Sequence, residues 1–411
     1  MESVSVTPEA SRKSKPDKDR QRNDCRIFLP LTPPSPTEGE GPSDSYFFAD
    51  PKPGNAPPRT PGEVSFAARG RAMALVTIAV VFACLGTNGS VHAWPPDWLA
   101  HRQTSSPWNI ASPTFGGLQV WTDELVYLDW RIQRNTVSGH YRLLDDQDYR
   151  QAWGTFQHCR ARLDDLKHER QLAPMQGTVV IVMHGLFRSR HSMSALVEAL
   201  REDTDWTVIN VSYASTRAGL EQHAQALAKV LDNLGPEVNT IHFVAHSMGN
   251  LIVRRYLHDV DVGRGGGWAD PRLGRIVMLA PPNQGARAAE AFRHVVGLEK
   301  MVGRSTAQLA RDWDELSETL ATPAGEFGIL AGGKNDDQGR NRWLDGDDDF
   351  VVTVDETRLA GAHDFLILPV YHRQIIKDPL AHQCTVRFLQ HGYFVSPEAR
   401  HPLPIDVSPS P

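Results

Sequence analysis

Ile241-His-Phe-Val-Ala245-His246-Ser247-Met248-Gly249-Asn250-Leu-Ile-Val-Arg-Arg-Tyr256 is the stretch on which the fold turns. Four of its first five residues are apolar, which suits a strand buried on both faces. From Met248 onward the pattern is helical. Between them sits a serine with Ala245 two residues before and Gly249 two residues after. A strand that passes into a helix through a sharp, strained turn needs small residues at those two places, because a larger Cβ would strike the neighbouring elements. Such a turn lifts the serine Oγ clear of the sheet and aims the N–H of Met248, at the helix start, at the same space.

The rest of the chain can be read outward from that joint. Upstream, Thr178–Met183 is an unbroken run of mostly β-branched residues, which predicts a buried parallel strand. It leads into His184-Gly185-Leu186-Phe187, where Gly185 lets the backbone come close and Leu186 N–H is the candidate second donor to an oxyanion. His184 is read as a brace for this loop, since it precedes the serine. Further strands are predicted at 207–213, 240–245, 275–280, 326–331 and 364–370. Helices are predicted at about 192–201, at 220–234 with Gly235 as its stop, and at about 379–390. Before them, 120–131 and 140–144 read as strands and 146–172 as one helix carrying Tyr149, Trp153 and Phe156. Strands alternating with helices imply crossover connections and a mostly parallel sheet covered on both sides.

An acid and a histidine should follow the serine in chain order. Asp345-Gly-Asp-Asp-Asp349-Phe350-Val-Val-Thr-Val354 lies past the strand at 326–331, and spacing alone does not choose among its four aspartates. Leu368-Pro-Val-Tyr-His372 places a histidine just beyond the last strand, with His363, His382 and His391 as rivals.

Four separated segments together give a resemblance. From about Thr178 to Phe394 the chain resembles the α/β-hydrolase superfamily, in particular lipase-like serine esterases whose serine motif reads A-H-S-M-G. Met278-Leu-Ala-Pro-Pro-Asn283-Gln-Gly285 resembles their L-A-x-P-N-x-G segment, and 386–394 their closing helix. Laid on Val351–Leu359, the family's D-G-x-V-x-V-x-E-T stretch puts its acid at Asp349, with Phe350 where the family has glycine, which keeps Asp348 and Asp347 in play. The histidine falls at His372. The resemblance implies acyl transfer to water: Ser247 as nucleophile, His372 as base, Asp349 orienting it, and Leu186 and Met248 as the oxyanion hole. The implied substrate is a carboxylic ester, lipid acyl esters leading. Acyl transfer to another alcohol on the same scaffold is a variant. A second class of reading is a non-catalytic module of the same fold that binds an apolar ligand or a protein. A serine-directed fluorophosphonate separates the two, because a binding module would leave Ser247 unlabelled.

Composition sets the limits. The chain has 411 residues, with 43 Lys+Arg against 49 Asp+Glu, a net charge of −6. That excludes binding nucleic acid through bulk charge. No cofactor or metal is implied: Gly332-Gly333-Lys334 lacks the rest of a phosphate loop, and the 345–349 acidic run lacks a calcium-loop pattern. Of 29 prolines, 12 lie in the first 65 residues, and all 10 tryptophans follow residue 93. Residues 1–65 therefore read as a disordered tail, 94–395 as the hydrolase domain and 396–411 as a second disordered tail. Ala72–Gly86 is apolar throughout, after Arg69 and Arg71. Residues 66–93 accordingly read as a secretory signal or a membrane anchor, making the domain exported (secreted or periplasmic) or membrane-attached. A translation start near Val64 or Met73 would put that signal at the amino terminus. Phe292, Val295, Val296, Leu298, Met301 and Val302 make the segment after Gly285 a candidate cap or an ordinary crossover. Cys159 and Cys384 could pair or remain two buried thiols.

Overall fold

The computed structural model describes residues 119–405 apart from 264–269, 291–303, 312 and 337. All of these lie in the second of the chain's two units, Val64–Pro411. The leader expected at 66–93, the tail expected at 1–65, the six apolar residues from Phe292 to Val302 and residues 406–411 fall outside the described residues.

An antiparallel meander comes first: β1 (Trp121–Tyr127), β2 (Trp130–Asn135), β3 (Tyr141–Leu144) and β4 (Arg150–Gly154), followed by helix α1 (Phe156–Glu169). Alternating strands and helices then succeed one another: β5 (Gly177–Met183), α2 (Ser194–Asp203), β6 (Thr207–Val211), α3 (Leu220–Asp232), β7 (Val238–His246), α4 (Met248–Gly263) and β8 (Leu273–Leu279). Short helices α5 (Arg287–Glu290), α6 (Arg304–Arg311) and α7 (Trp313–Ser317) precede β9 (Phe327–Gly332). The series closes with α8 (Val354–Thr357), β10 (Asp364–Leu368) and α9 (Pro379–His391).

The six later strands form one parallel sheet in the order β10-β9-β8-β7-β5-β6. Its two faces are separate cores. Val179, Ile181 and Met183 of β5 point into one, with α3 and α4, and Val180 and Val182 point into the other, with α2 and α9. This is why the β-branched run shows no polar alternation: the pleat sends successive side chains to opposite faces, and both are dry.

The structure corrects several expectations. The stretch 120–131 is two strands, because the chain turns at Leu128 (φ +55°) and β1 pairs back on β2. Within 146–172, residues 150–154 pair antiparallel with β3. The helix starts only after Gly154 (φ +138°), where the Thr155 hydroxyl accepts from His158 N–H as an N-cap. Trp153 accordingly sits on a strand, 51 % exposed, with its ring 4.5 Å from that of His140. Cross-strand pairing here overrides helical spacing. Helix α3 ends at Asp232, two residues before Leu234 and three before Gly235, because the Asn233 side-chain amide takes up the Lys229 carbonyl at 2.7 Å. Residues 396–405 are not a loose tail: Gly361 N–H donates to Leu403 O, Leu403 N–H to Ala362 O and His401 N–H to Asp364 Oδ1. Cys159 and Cys384 are free, buried in different clusters, with burial pushing the thiols up to about 12 and about 11. No helix among the described residues is long and apolar enough to cross a membrane.

The meander joins the large sheet through a buried charge network. Asp123 accepts from Arg131 Nη1 (2.9 Å), Gln133 Nε2 (2.8 Å) and Ser212 N–H (2.7 Å), and the Asp123 and Arg131 side chains are 0 % and 2 % exposed. Removing one partner of such a pair leaves the other charge buried and unmatched. Asp123→Ala is expected to destabilise the domain by about 3–5 kcal/mol. Thermal melts beside Asp123→Asn, which keeps the shape and two of the acceptor contacts, would check this.

Candidate active site

Strand β7 runs into α4 through Ser247, whose φ is +53°. A non-glycine residue in the left-handed region is strained by about 1–3 kcal/mol, and such strain is held by what surrounds it. Ser247 N–H is tied to Leu279 O on β8 at 2.9 Å. The small flanks are needed as read. A Cβ on Gly249 would lie 2.7 Å from His184 O and 3.0 Å from Met183 Cβ. Ala245 is fully buried in register between Met183 of β5 and Met278 of β8.

The loop after β5 packs directly on this turn. A Cβ on Gly185 would lie 2.9 Å from His246 Nδ1 and 3.1 Å from Ser247 Cβ, so only glycine lets the loop come this close. His184 Nδ1 donates to Gly185 O at 2.8 Å. Because a trans peptide sets N–H opposite C=O, that bond also fixes the direction of Leu186 N–H. The Tyr213 hydroxyl donates to His184 O, and the two rings stack at 4.0 Å. Neither Leu186 N–H nor Met248 N–H has an acceptor among the described residues. His184 is therefore a brace, held neutral because burial pushes it down to about 4.

His372, beyond β10, meets Ser247 across 125 residues of sequence: its Nε2 lies 2.9 Å from Ser247 Oγ. Its Nδ1 lies 2.7 Å from Asp349 Oδ2, and its backbone N–H donates to Asp349 O at 2.9 Å. The carboxylate is fully buried, with Oδ1 accepting from Val351 N–H (3.0 Å) and Val352 N–H (2.8 Å). The other aspartates are otherwise engaged. Asp348 accepts from the N–H groups of Arg340, Asn341 and Phe350, and Asp347 from those of Lys334 and Asn335. Asp345 is exposed. Phe350, where the resembling family has glycine, sits at φ +87°, so it keeps the glycine backbone conformation without being glycine. Among the rival histidines, His382 bonds Ile376 O and His391 stacks on Tyr393. His363 N–H donates to Phe327 O at the far end of β9.

One residue of the arrangement has no role in the sequence reading. His246, 2 % exposed, has its Nε2 at 3.0 Å from His372 O and its ring 4.8 Å from that of His372. It donates to the main chain of the loop that carries His372. Only the meeting of positions 126 residues apart shows this. Asn283 is likewise structural: it accepts from Arg254 Nη1 at 3.1 Å and donates to Thr357 O at 2.9 Å, clamping α4 to α8.

Buried neutral histidines make the fold acid-sensitive. Burial pushes His184 and His242 down to about 4 and His223 to about 3, against an ordinary value of 6.5. With folded values below unfolded ones, the unfolded chain binds more protons between them. Their contribution is complete above pH 6.5 and is lost as pH falls through 4 towards 3. Melting temperature should fall steeply over that interval; a flat profile from pH 6.5 to 4 would contradict it.

Residues 192–306 match the model of a family described as an alpha/beta hydrolase of unknown function (DUF900). No curated protein matches the chain. Among solved structures, the mature lipase BlEst2 of Bacillus licheniformis is 16 % identical, with 53 % of this chain and 92 % of that one covered and a TM-score of 0.39. The phospholipase PlaB of Legionella pneumophila is 19 % identical, with 45 % of each chain covered and a TM-score of 0.35. The match thus spans less than half of that phospholipase. The metagenomic carboxyl esterase MGS0156 is 16 % identical, with 50 % and 67 % covered and a TM-score of 0.34.

Proposed function

We propose that this chain, an α/β hydrolase by fold, is a serine hydrolase that cleaves carboxylic esters through an acyl-enzyme, with lipid acyl esters as its substrate class. The observation that carries the reading is the unbroken line Ser247 Oγ, His372 Nε2, His372 Nδ1, Asp349 Oδ2, with hydrogen bonds of 2.9 and 2.7 Å. In this mechanism His372 takes the proton of Ser247 as Oγ attacks the ester carbonyl. Asp349 holds the imidazole with Nδ1–H towards itself, leaving Nε2 free to accept, and stabilises the imidazolium that forms. The oxyanion is met by Leu186 N–H and Met248 N–H. His372 then returns the proton to the leaving alcohol, and a water repeats the sequence to release the acid.

An apolar substrate is supported by exposed aromatic rings in the two loops that carry Asp349 and His372. Tyr371, 43 % exposed, lies under the Arg340 guanidinium (4.3 Å), and Trp343, 49 % exposed, under that of Arg342 (5.0 Å). Exposed aromatic rings flanked by arginines suit an ester presented at a boundary between apolar and charged phases. Hydrolysis of p-nitrophenyl butyrate and palmitate by the full chain tests both parts. Activity on either, abolished by a fluorophosphonate bound at Ser247, supports the esterase reading, and preference for palmitate supports the lipid class. No activity and no labelling would favour the binding-module reading.

Export or membrane attachment through residues 72–86 belongs to the same proposal, supported by the 15-residue apolar run after Arg69 and Arg71. Amino-terminal sequencing after expression in a secreting host tests it. A start at Trp94 indicates cleavage, an intact chain in membranes an anchor, and an intact chain in the soluble fraction rejects both.

A further inference from the structure

His246 lies against the triad, yet no step of the acyl transfer uses it. It ends β7, which sits inside the sheet between β5 and β8. His372, the base, stands instead in the loop after β10, the edge strand. A loop holds a side chain less closely than a strand does, so the imidazole depends on the bonds that anchor its loop. Both main-chain groups of His372 are bonded outside that loop. Its N–H donates to Asp349 O at 2.9 Å, and its carbonyl oxygen faces His246 Nε2 at 3.0 Å.

A carbonyl only accepts, so the His246 proton is on Nε2 and Nδ1 carries a lone pair. Burial pushes this ring well below the usual histidine value, and positive charge on His372 pushes it the same way. His246 therefore stays neutral as His372 takes up the serine proton. The ring has little room to turn. Its centroid lies 4.8 Å from that of His372, and a Cβ on Gly185 would lie 2.9 Å from Nδ1. Because His246 and Ser247 are consecutive, covalent geometry sets the distance between this donor and the nucleophile. One dipeptide thus carries Oγ and, through the His372 carbonyl, the frame of the imidazole that meets Oγ at 2.9 Å.

We propose that His246 is a positioning residue for the acyl transfer: its Nε2–H holds the His372 carbonyl, and with it the imidazole, within reach of Ser247 Oγ. The role rests on the serine-hydrolase reading of Ser247.

Three substitutions in the full chain test it, followed by kcat and KM on p-nitrophenyl butyrate, the rate of fluorophosphonate labelling and the melting temperature. His246→Gln keeps an amide donor near the place of Nε2. His246→Asn is one methylene shorter and puts that donor near the place of Nδ1, out of reach of the carbonyl. His246→Phe keeps a ring and removes the donor. A displacement of about 1 Å can cost on the order of 100-fold, so kcat should fall about 10- to 100-fold in the Asn and Phe variants. KM should change little, because the interaction lost is one that matters only in the transition state. Labelling should slow in step, since it too needs His372 to take the serine proton. The Gln variant should return to within about fivefold of the native kcat. A packing role alone would lower the melting temperature without this rescue, and the Gln and Asn pair carries the test should the Phe variant fail to fold. Native kcat in the Asn variant, or equal losses in the Asn and Gln variants, overturns the proposal and leaves Ser247 as nucleophile. A native chain that neither hydrolyses the ester nor is labelled overturns the serine-hydrolase reading, and this role with it.

Discussion

Ser247→Ala is expected to lower kcat for p-nitrophenyl butyrate by about 10⁶-fold, the order seen when the nucleophile of a serine hydrolase is removed. KM should change little, because the alanine takes away only the attacking oxygen. Fluorophosphonate labelling should vanish with it. The melting temperature is the control. Alanine inherits the φ of +53° at this position, so it relieves no backbone strain and should melt close to the native chain. Ser247→Gly removes both the oxygen and the strain, and should be equally inactive and more stable by about 1 kcal/mol. Full activity in either variant would remove Ser247 from the reaction.

Asp349→Asn is expected to cost about 10⁴-fold in kcat, because an amide that donates towards Nδ1 forces the imidazole into the tautomer that cannot accept the serine proton. The substitution is nearly isosteric, and Oδ1 would still receive Val351 and Val352 N–H. The fold should therefore hold. Asp348→Asn separates the two neighbours. Asp348 binds three backbone N–H groups of its own loop and does not touch His372, so its loss should lower stability by about 1–3 kcal/mol and leave much of kcat. If instead Asp348→Asn abolished turnover while Asp349→Asn did not, the assignment of the acid would be reversed.

These two variants also mark where reading the sequence stops. The joint at Ser247 is legible from residues alone because its constraints are local: strand, small residue, serine, small residue and helix are all neighbours in sequence. The same holds for Gly185, where close approach is written as a missing side chain. The choice among the four aspartates of 345–349 is different. They crowd into five positions, 345–349, and each could turn towards His372 as far as the sequence says. What decides it is that 347 and 348 are drawn off by the amides of 334–341, residues that return to the loop only in the folded chain.

Patterning was weakest before residue 177. There Arg150-Gln-Ala-Trp-Gly carries enough apolar spacing to pass for the start of a helix, and only pairing with β3 makes it a strand. Strand pairing is a long-range contact, whereas helical periodicity is local, so the former cannot be read from a window of ten residues. His246 is the same lesson at the site. Its place beside the serine is visible in sequence, but its hydrogen bond to the His372 carbonyl exists only because β7 and the loop after β10 end side by side. By itself the sequence determined a mostly parallel sheet built through crossovers, and the small residues that let the backbone close round the turn at Ser247. The tertiary structure decided which carboxylate faces the imidazole, what holds the imidazole's own loop and where the buried charges are matched, because each of those depends on distances between residues that the chain keeps far apart until it folds.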